Sequence, residues 1–87
     1  VGIWITKVFE DATLVRLKVD GQIIGDWASV LEDECSKHRA LGQAIVLDFT
    51  EVCFVGPQAV GMLRRLMGDG VKIVDVHPLI AELFEDA

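Results

Sequence analysis

The chain has 87 residues, 52% of them hydrophobic, with 8 Lys and Arg set against 14 Asp and Glu for a net charge of −6. That length leaves room for one core and no second domain, and a chain of this size buries roughly 60 to 65% of the surface exposed by its unfolded form. The acidic balance argues against nucleic acid, whose binding depends on Lys and Arg neutralising phosphates. No apolar run approaches the ~20 residues of a membrane-spanning helix, and no charged segment precedes an apolar one at the start, so neither membrane insertion nor a signal peptide is expected. The chain begins with Val1 rather than methionine, which leaves processing or a missing leader open. Cys35 and Cys53 form no C-x-x-C motif; both fall on apolar faces and read as small buried thiols, and a reducing, cytoplasmic setting is expected.

In chain order, Val1 to Phe9 and Thr13 to Val19 predict a hairpin joined at Glu10-Asp11-Ala12. Val15, Leu17 and Val19 alternate with Arg16 and Lys18, the signature of a strand with one face in water. Ile3 and Ile5 alternate with Trp4 and Thr6; the pattern does not say which side the tryptophan takes, and core packing is the expectation, with an exposed interface position the alternative. Asp20-Gly21 ends the second strand, and Asp26 is expected to cap a helix through its carboxylate. Within that helix Trp27, Leu31 and Cys35, with Val30 and Leu41 alongside, make an inward stripe. Glu34 and His38, four apart, project between Trp27 and Leu31 rather than onto the polar face. An edge-of-core hydrogen bond or a His38 that swings to solvent outweighs a metal or acid/base role.

Ala44 to Phe49 is an apolar run, read as a strand covered on both faces. After Val52 to Val55, Gly56-Pro57 breaks the extended chain and opens a helix, since proline loses nothing in the first helical turn. Ala59, Val60, Met62, Leu63, Leu66 and Met67 share one side, and Gln58, Gly61, Arg64 and Arg65 the other. Val71 to Val76 predicts a further strand, and Pro78 to Phe84 a short helix with Leu79, Ile80, Leu83 and Phe84 inward and His77 as a weak cap. Together these give an α/β fold: one small domain with a mixed β-sheet, an N-terminal hairpin, and helices alternating with strands.

The run Val46-Leu47-Asp48, the approach Val52 and Phe54, the helix Leu63 to Leu66 and the strand Gly70 to Val74 resemble, in order and spacing, the STAS domain of bacterial anti-sigma factor antagonists. The resemblance spans nearly the whole chain and implies a STAS-like fold. In that family a loop aspartate caps the second helix, and a serine two residues later accepts a phosphate that decides whether a partner kinase binds. This sequence has Gly56 where the aspartate stands, Pro57 at the first serine, Gln58 at the phosphoacceptor and Ala59 at the following glycine. Glutamine has no hydroxyl to phosphorylate.

No enzyme motif is present: no G-x-S-x-G, P-loop lysine, H-E-x-x-H or Gly-rich fingerprint. The expectation is a non-catalytic protein-protein interaction module without cofactor or metal, not regulated by serine phosphorylation at the usual loop. Its partner would be an anti-sigma kinase-like domain or another regulatory subunit. The candidate partner-binding residues are Gly25, Asp26, Gly56, Pro57, Gln58, Ala59, Gly61, Arg64 and Arg65. One alternative is a small-molecule or nucleotide-binding sensor, with an anion on the amides before Val60 and Arg64 one turn away. Another is a STAS-like accessory subunit of a transporter complex. A homodimer is open, with the sheet face around Trp4 the place to look.

Overall fold

Alternation in the first half of the chain builds a hairpin, and apolar faces at helical spacing cover it. The computed structural model describes residues 2–84. Strands β1 (Ile3–Glu10) and β2 (Leu14–Ile23) are antiparallel; helix α1 (Asp26–Ala40) leads to β3 (Ala44–Val55), α2 (Pro57–Gly68) to the short β4 (Lys72–Val74), and α3 (Pro78–Phe84) follows. The sheet order is β1-β2-β3-β4, with β2, β3 and β4 mutually parallel. This is the expected small α/β domain with a mixed sheet. The Asp11 carboxylate closes the hairpin turn, accepting from the Thr13 and Leu14 amides at 2.8 Å each, as aspartate does where a turn needs a local acceptor.

Strand order follows chain order, so two right-handed crossovers put α1 and α2 on the same face of the sheet. Val15, Leu17 and Val19 of β2 and Ile45, Leu47 and Phe49 of β3 lie beneath them, none more than 2% exposed. Leu31 and Cys35 of α1 and Ala59, Met62, Leu63 and Leu66 of α2 complete the core. The other sheet face carries Trp4, Thr6, Arg16, Lys18, Val46 and Asp48 without a helix over it. β3 is therefore covered on one face only, and the uninterrupted apolar run misled because half-buried Val46 sits beside Arg16 across the strands.

The same one-sided layering corrects the tryptophans. Ile3 and Ile5 take the inner side of β1, which leaves Trp4 73% exposed. In α1 the inward stripe is Leu31, Cys35 and His38; Trp27, Val30 and Leu41 are exposed. Trp27 lies against Gly2, where a side chain would collide with the indole. β1 begins at Ile3 rather than Val1, and Val1 lies outside the described residues.

β2 runs through Asp20-Gly21 to Ile23 instead of stopping there. Gly25 (φ 54) occupies the cap of α1 without a side-chain bond, so Asp26 is the first helical residue and not the cap. Past a register shift in β3, Val52 and Val55 are buried while Cys53 and Phe54 between them face out, so Cys53 is exposed and not a buried thiol. Its Sγ lies 3.4 Å from the Gly21 carbonyl, to which it donates. β4 ends at Val74 because Asp75 (φ 57) turns the chain away. In the seven-residue α3 only Ile80 is fully buried, and Leu79 and Leu83 are exposed. Among the described residues no helix is long and apolar enough to cross a membrane.

Candidate functional site

Parallel strands deliver successive helix starts to one end of the sheet, and that end gathers most of the residues singled out from the sequence. Ile23 pairs with Val55 at the last step of the β2-β3 ladder. The Gly56 amide then donates to the Ile23 carbonyl at 2.9 Å, which holds the start of α2 beside the loop into α1. Gly56 thus lies against Ile23 and Ile24, one step before Gly25 and Asp26, whereas the Trp27 side chain leans to the other side, against Gly2 before β1. A methyl at Gly56 would lie 3.3 Å from the Ile24 side chain, so the close approach favours glycine there.

Pro57 opens α2 as expected, with Gly56 in extended backbone (φ −72, ψ 157) at the cap. Pro57, Gln58 and Gly61 are exposed, whereas Gly56 and Ala59 are buried and serve to anchor the turn. The Ala59 and Val60 amides both close on the Gly56 carbonyl, at 3.0 and 3.3 Å, and Pro57 has no amide hydrogen. The first turn therefore offers an anion few free donors.

The two arginines do not converge on that turn. Arg64 Nη2 donates to the Leu83 carbonyl at 2.9 Å, tying α2 to α3. Arg65 pairs with Glu32 of α1 at 3.2 Å. Both are exposed, and such pairs contribute little to stability.

A cleft of about 870 Å³ opens beside Pro57. Phe54, Val60 and Arg64 line one side, and Leu79, Glu82 and Leu83 the other. Phe54 is 49% exposed and Leu79 69%, so the lining is apolar and open to solvent. The sequence reading assigned Leu79 and Leu83 to the core; their helix is too short to bury both sides of itself.

A second cluster lies at the opposite end of α1. His38, only 1% exposed, does not swing to solvent. The Gln43 amide nitrogen donates to Glu10 Oε2 and to the Asp11 carbonyl, both at 2.8 Å. Its oxygen therefore faces His38 Nδ1, 2.7 Å away, and the network assigns the ring hydrogen to Nδ1. Nε2 is buried without a hydrogen-bond partner, 3.5 Å from Glu34 Oε2. Glu10 stands on the Nδ1 side at 3.8 Å, so the two carboxylates flank opposite ring nitrogens and do not share one ligand position. Among the described residues no three His, Cys, Asp or Glu side chains are grouped to hold a metal ion.

Two further titratable groups are set by their surroundings. The Thr50 hydroxyl and amide, with Arg16 at 3.3 Å, hold the Asp48 carboxyl below its ordinary value. Burial, helped by Glu34, pushes the Cys35 thiol up to about 11, so it stays protonated and unreactive. The Arg16 guanidinium that holds Asp48 also lies 3.7 Å from Asp75, so the two carboxylates share one cation. In comparisons with known proteins, no family model matches the chain and no curated protein sequence matches it.

Proposed function

We propose that the chain is a non-catalytic protein-interaction module, similar to the anti-sigma factor antagonists, that docks a regulatory protein through the start of α2 and the adjoining cleft. The observation that carries this reading is one juxtaposition. Exposed Pro57 and Gln58, the loop after Ile23 to which Gly56 bonds, and the apolar cleft walled by Phe54, Leu79 and Leu83 lie together at the end of the sheet where α2 begins. Exposed apolar groups flanked by polar ones suit burial against a partner surface. The partner is a kinase-like anti-sigma domain or another regulatory subunit; an accessory role in a transporter complex would use the same surface with a different partner.

Gln58 carries no hydroxyl, so docking is not gated by serine phosphorylation at this position. The sensor alternative has less support, because the first-turn amides and Arg64 that it needs are engaged within the domain.

The test is affinity capture from the native cell extract with wild type and with Gln58→Glu/Leu79→Glu. Both positions are exposed, so a thermal melt should be unchanged. A kinase-like regulator or regulatory subunit held by wild type and lost by the variant supports the reading. Equal retention of that protein by both moves the docking surface elsewhere. Capture that is lost on addition of ATP and restored by phosphatase overturns the ungated mode.

A further inference from the structure

Strand β1 forms one edge of the sheet. The Gly2 carbonyl accepts from the Gln22 amide at 3.0 Å. In an antiparallel ladder, residues that exchange such bonds alternate with residues that do not. Trp4 and Thr6 thus turn their main-chain groups towards β2, and Ile3, Ile5 and Lys7 point theirs off the sheet. The side chains of Trp4 and Thr6 stand on the helix-free face, both exposed, followed along the strand by exposed Val8 and Phe9.

Natural edges are guarded by proline, by charges or by bulges. β1 contains no proline, and its one lysine, Lys7, is held by Glu10 at 2.7 Å. The bulge falls between Lys7 and Phe9, which leaves the backbone from Ile3 to Lys7 regularly paired on its inner side and open on its outer side.

We propose that this edge docks a second copy of the chain, β1 antiparallel to β1, about a two-fold axis through Thr6. The sequence of the strand selects that register. Outward-pointing main-chain groups must meet their like, so odd-numbered residues oppose odd-numbered ones. An axis through Lys7 would set Lys7 against Lys7, and an axis through Ile5 would leave Val8 opposite Gly2. With the axis through Thr6, Thr6 meets Thr6, Lys7 meets Ile5, and Trp4 lies twice over across from Val8, the bulged residue that ends the regular segment. Aromatic with β-branched and Thr with Thr are the cross-strand pairings that stabilise sheets. Here they fall at the non-hydrogen-bonded positions, where side chains come closest. The two-fold makes one patch complementary to itself and covers Trp4, the most exposed of the large hydrophobic side chains described.

Sedimentation over a concentration series tests the contact, and disulfide trapping tests the register. Wild type is expected to move from monomer to dimer mass, whereas Thr6→Lys, which sets like charges on the axis, stays monomeric at tenfold higher concentration with an unchanged melt. In a Cys53→Ser background, Thr6→Cys should oxidise to a covalent dimer, because Cα atoms at such a position lie about 4.5 Å apart, within bridging range. Lys7→Cys, displaced from the axis, should not. Wild type that remains monomeric throughout, Thr6→Lys that dimerises like wild type, or Lys7→Cys that cross-links as fast as Thr6→Cys overturns the proposal.

Discussion

His38 Nδ1 and Gln43 Oε1 lie 2.7 Å apart and join the last turn of α1 to the loop that enters β3. Gln43 extends the link to the hairpin turn by donating to Glu10 and the Asp11 carbonyl. One side chain thus ties three segments that are distant in sequence. Removing it with Gln43→Ala strands a buried imidazole donor, an omission that costs about 1–3 kcal/mol. For a domain of this size each kilocalorie lowers the melting temperature by about 4–8 °C. A cycle with His38→Phe should show coupling of at least about 0.5 kcal/mol by urea denaturation. Strict additivity of the two changes would mean that the bond contributes nothing.

Asp48 gives the domain an acid-sensitive element. Donation from the Thr50 hydroxyl, then from the Thr50 amide and Arg16, lowers its pKa from the ordinary 3.8. A carboxyl depressed by folding contributes stability that is present above its unfolded value and lost as pH falls through its folded one. Asp11, lowered chiefly by the Thr13 amide, and Glu10, lowered chiefly by Lys7, act in the same direction. The urea midpoint should therefore be flat near neutrality and fall below about pH 4. In Asp48→Asn the fall should be shallower, with the difference from wild type closing as the pH drops. An identical pH profile in the two proteins would contradict the assigned partners.

The parts of the fold written in local chemistry were legible from the sequence. Gly56-Pro57 marks the start of α2, and its spacing gives the inward side, of which Ala59, Met62, Leu63 and Leu66 are buried and Val60 and Met67 half-buried. Alternation gave the inner face of β2 at Val15, Leu17 and Val19. Periodicity tells which residues share a face, but not whether a second layer covers that face. Trp4 and Val46 were misplaced for that reason, since apolar side chains do lie on open sheet surfaces. His38 was read as an edge residue because its acceptor, Gln43, lies beyond the helix end and carries no periodic signal. The candidate site was half legible. Gly56-Pro57 marks the start of α2 and Asp26 that of α1, one residue past its true cap Gly25, but the cleft needs the shortness of α3 and the outward turn of Phe54, which depend on tertiary register.

Gly21 shows the same limit, and it can be probed directly. In sequence Asp20-Gly21 reads as the end of a strand, yet β2 continues through it to Ile23. Gly21 has φ +106, a conformation that L side chains rarely adopt, and a methyl group there would collide with the carbonyl oxygen of Gly2. That oxygen accepts from the Gln22 amide at 3.0 Å. Gly21→Ala must therefore strain the backbone and also push the start of β1 off the sheet, a loss of at least about 2 kcal/mol. Gly70→Ala is the control: its φ is +100, but nothing lies within 4 Å of the added methyl, so only the backbone strain applies. Chemical denaturation should rank Gly21→Ala below Gly70→Ala. Hydrogen exchange should show faster exchange of the Gln22 amide in Gly21→Ala alone. Equal losses in the two variants would mean that the collision is relieved without separating the strands, and that the Gly2-Gly21 approach does not hold the edge in place.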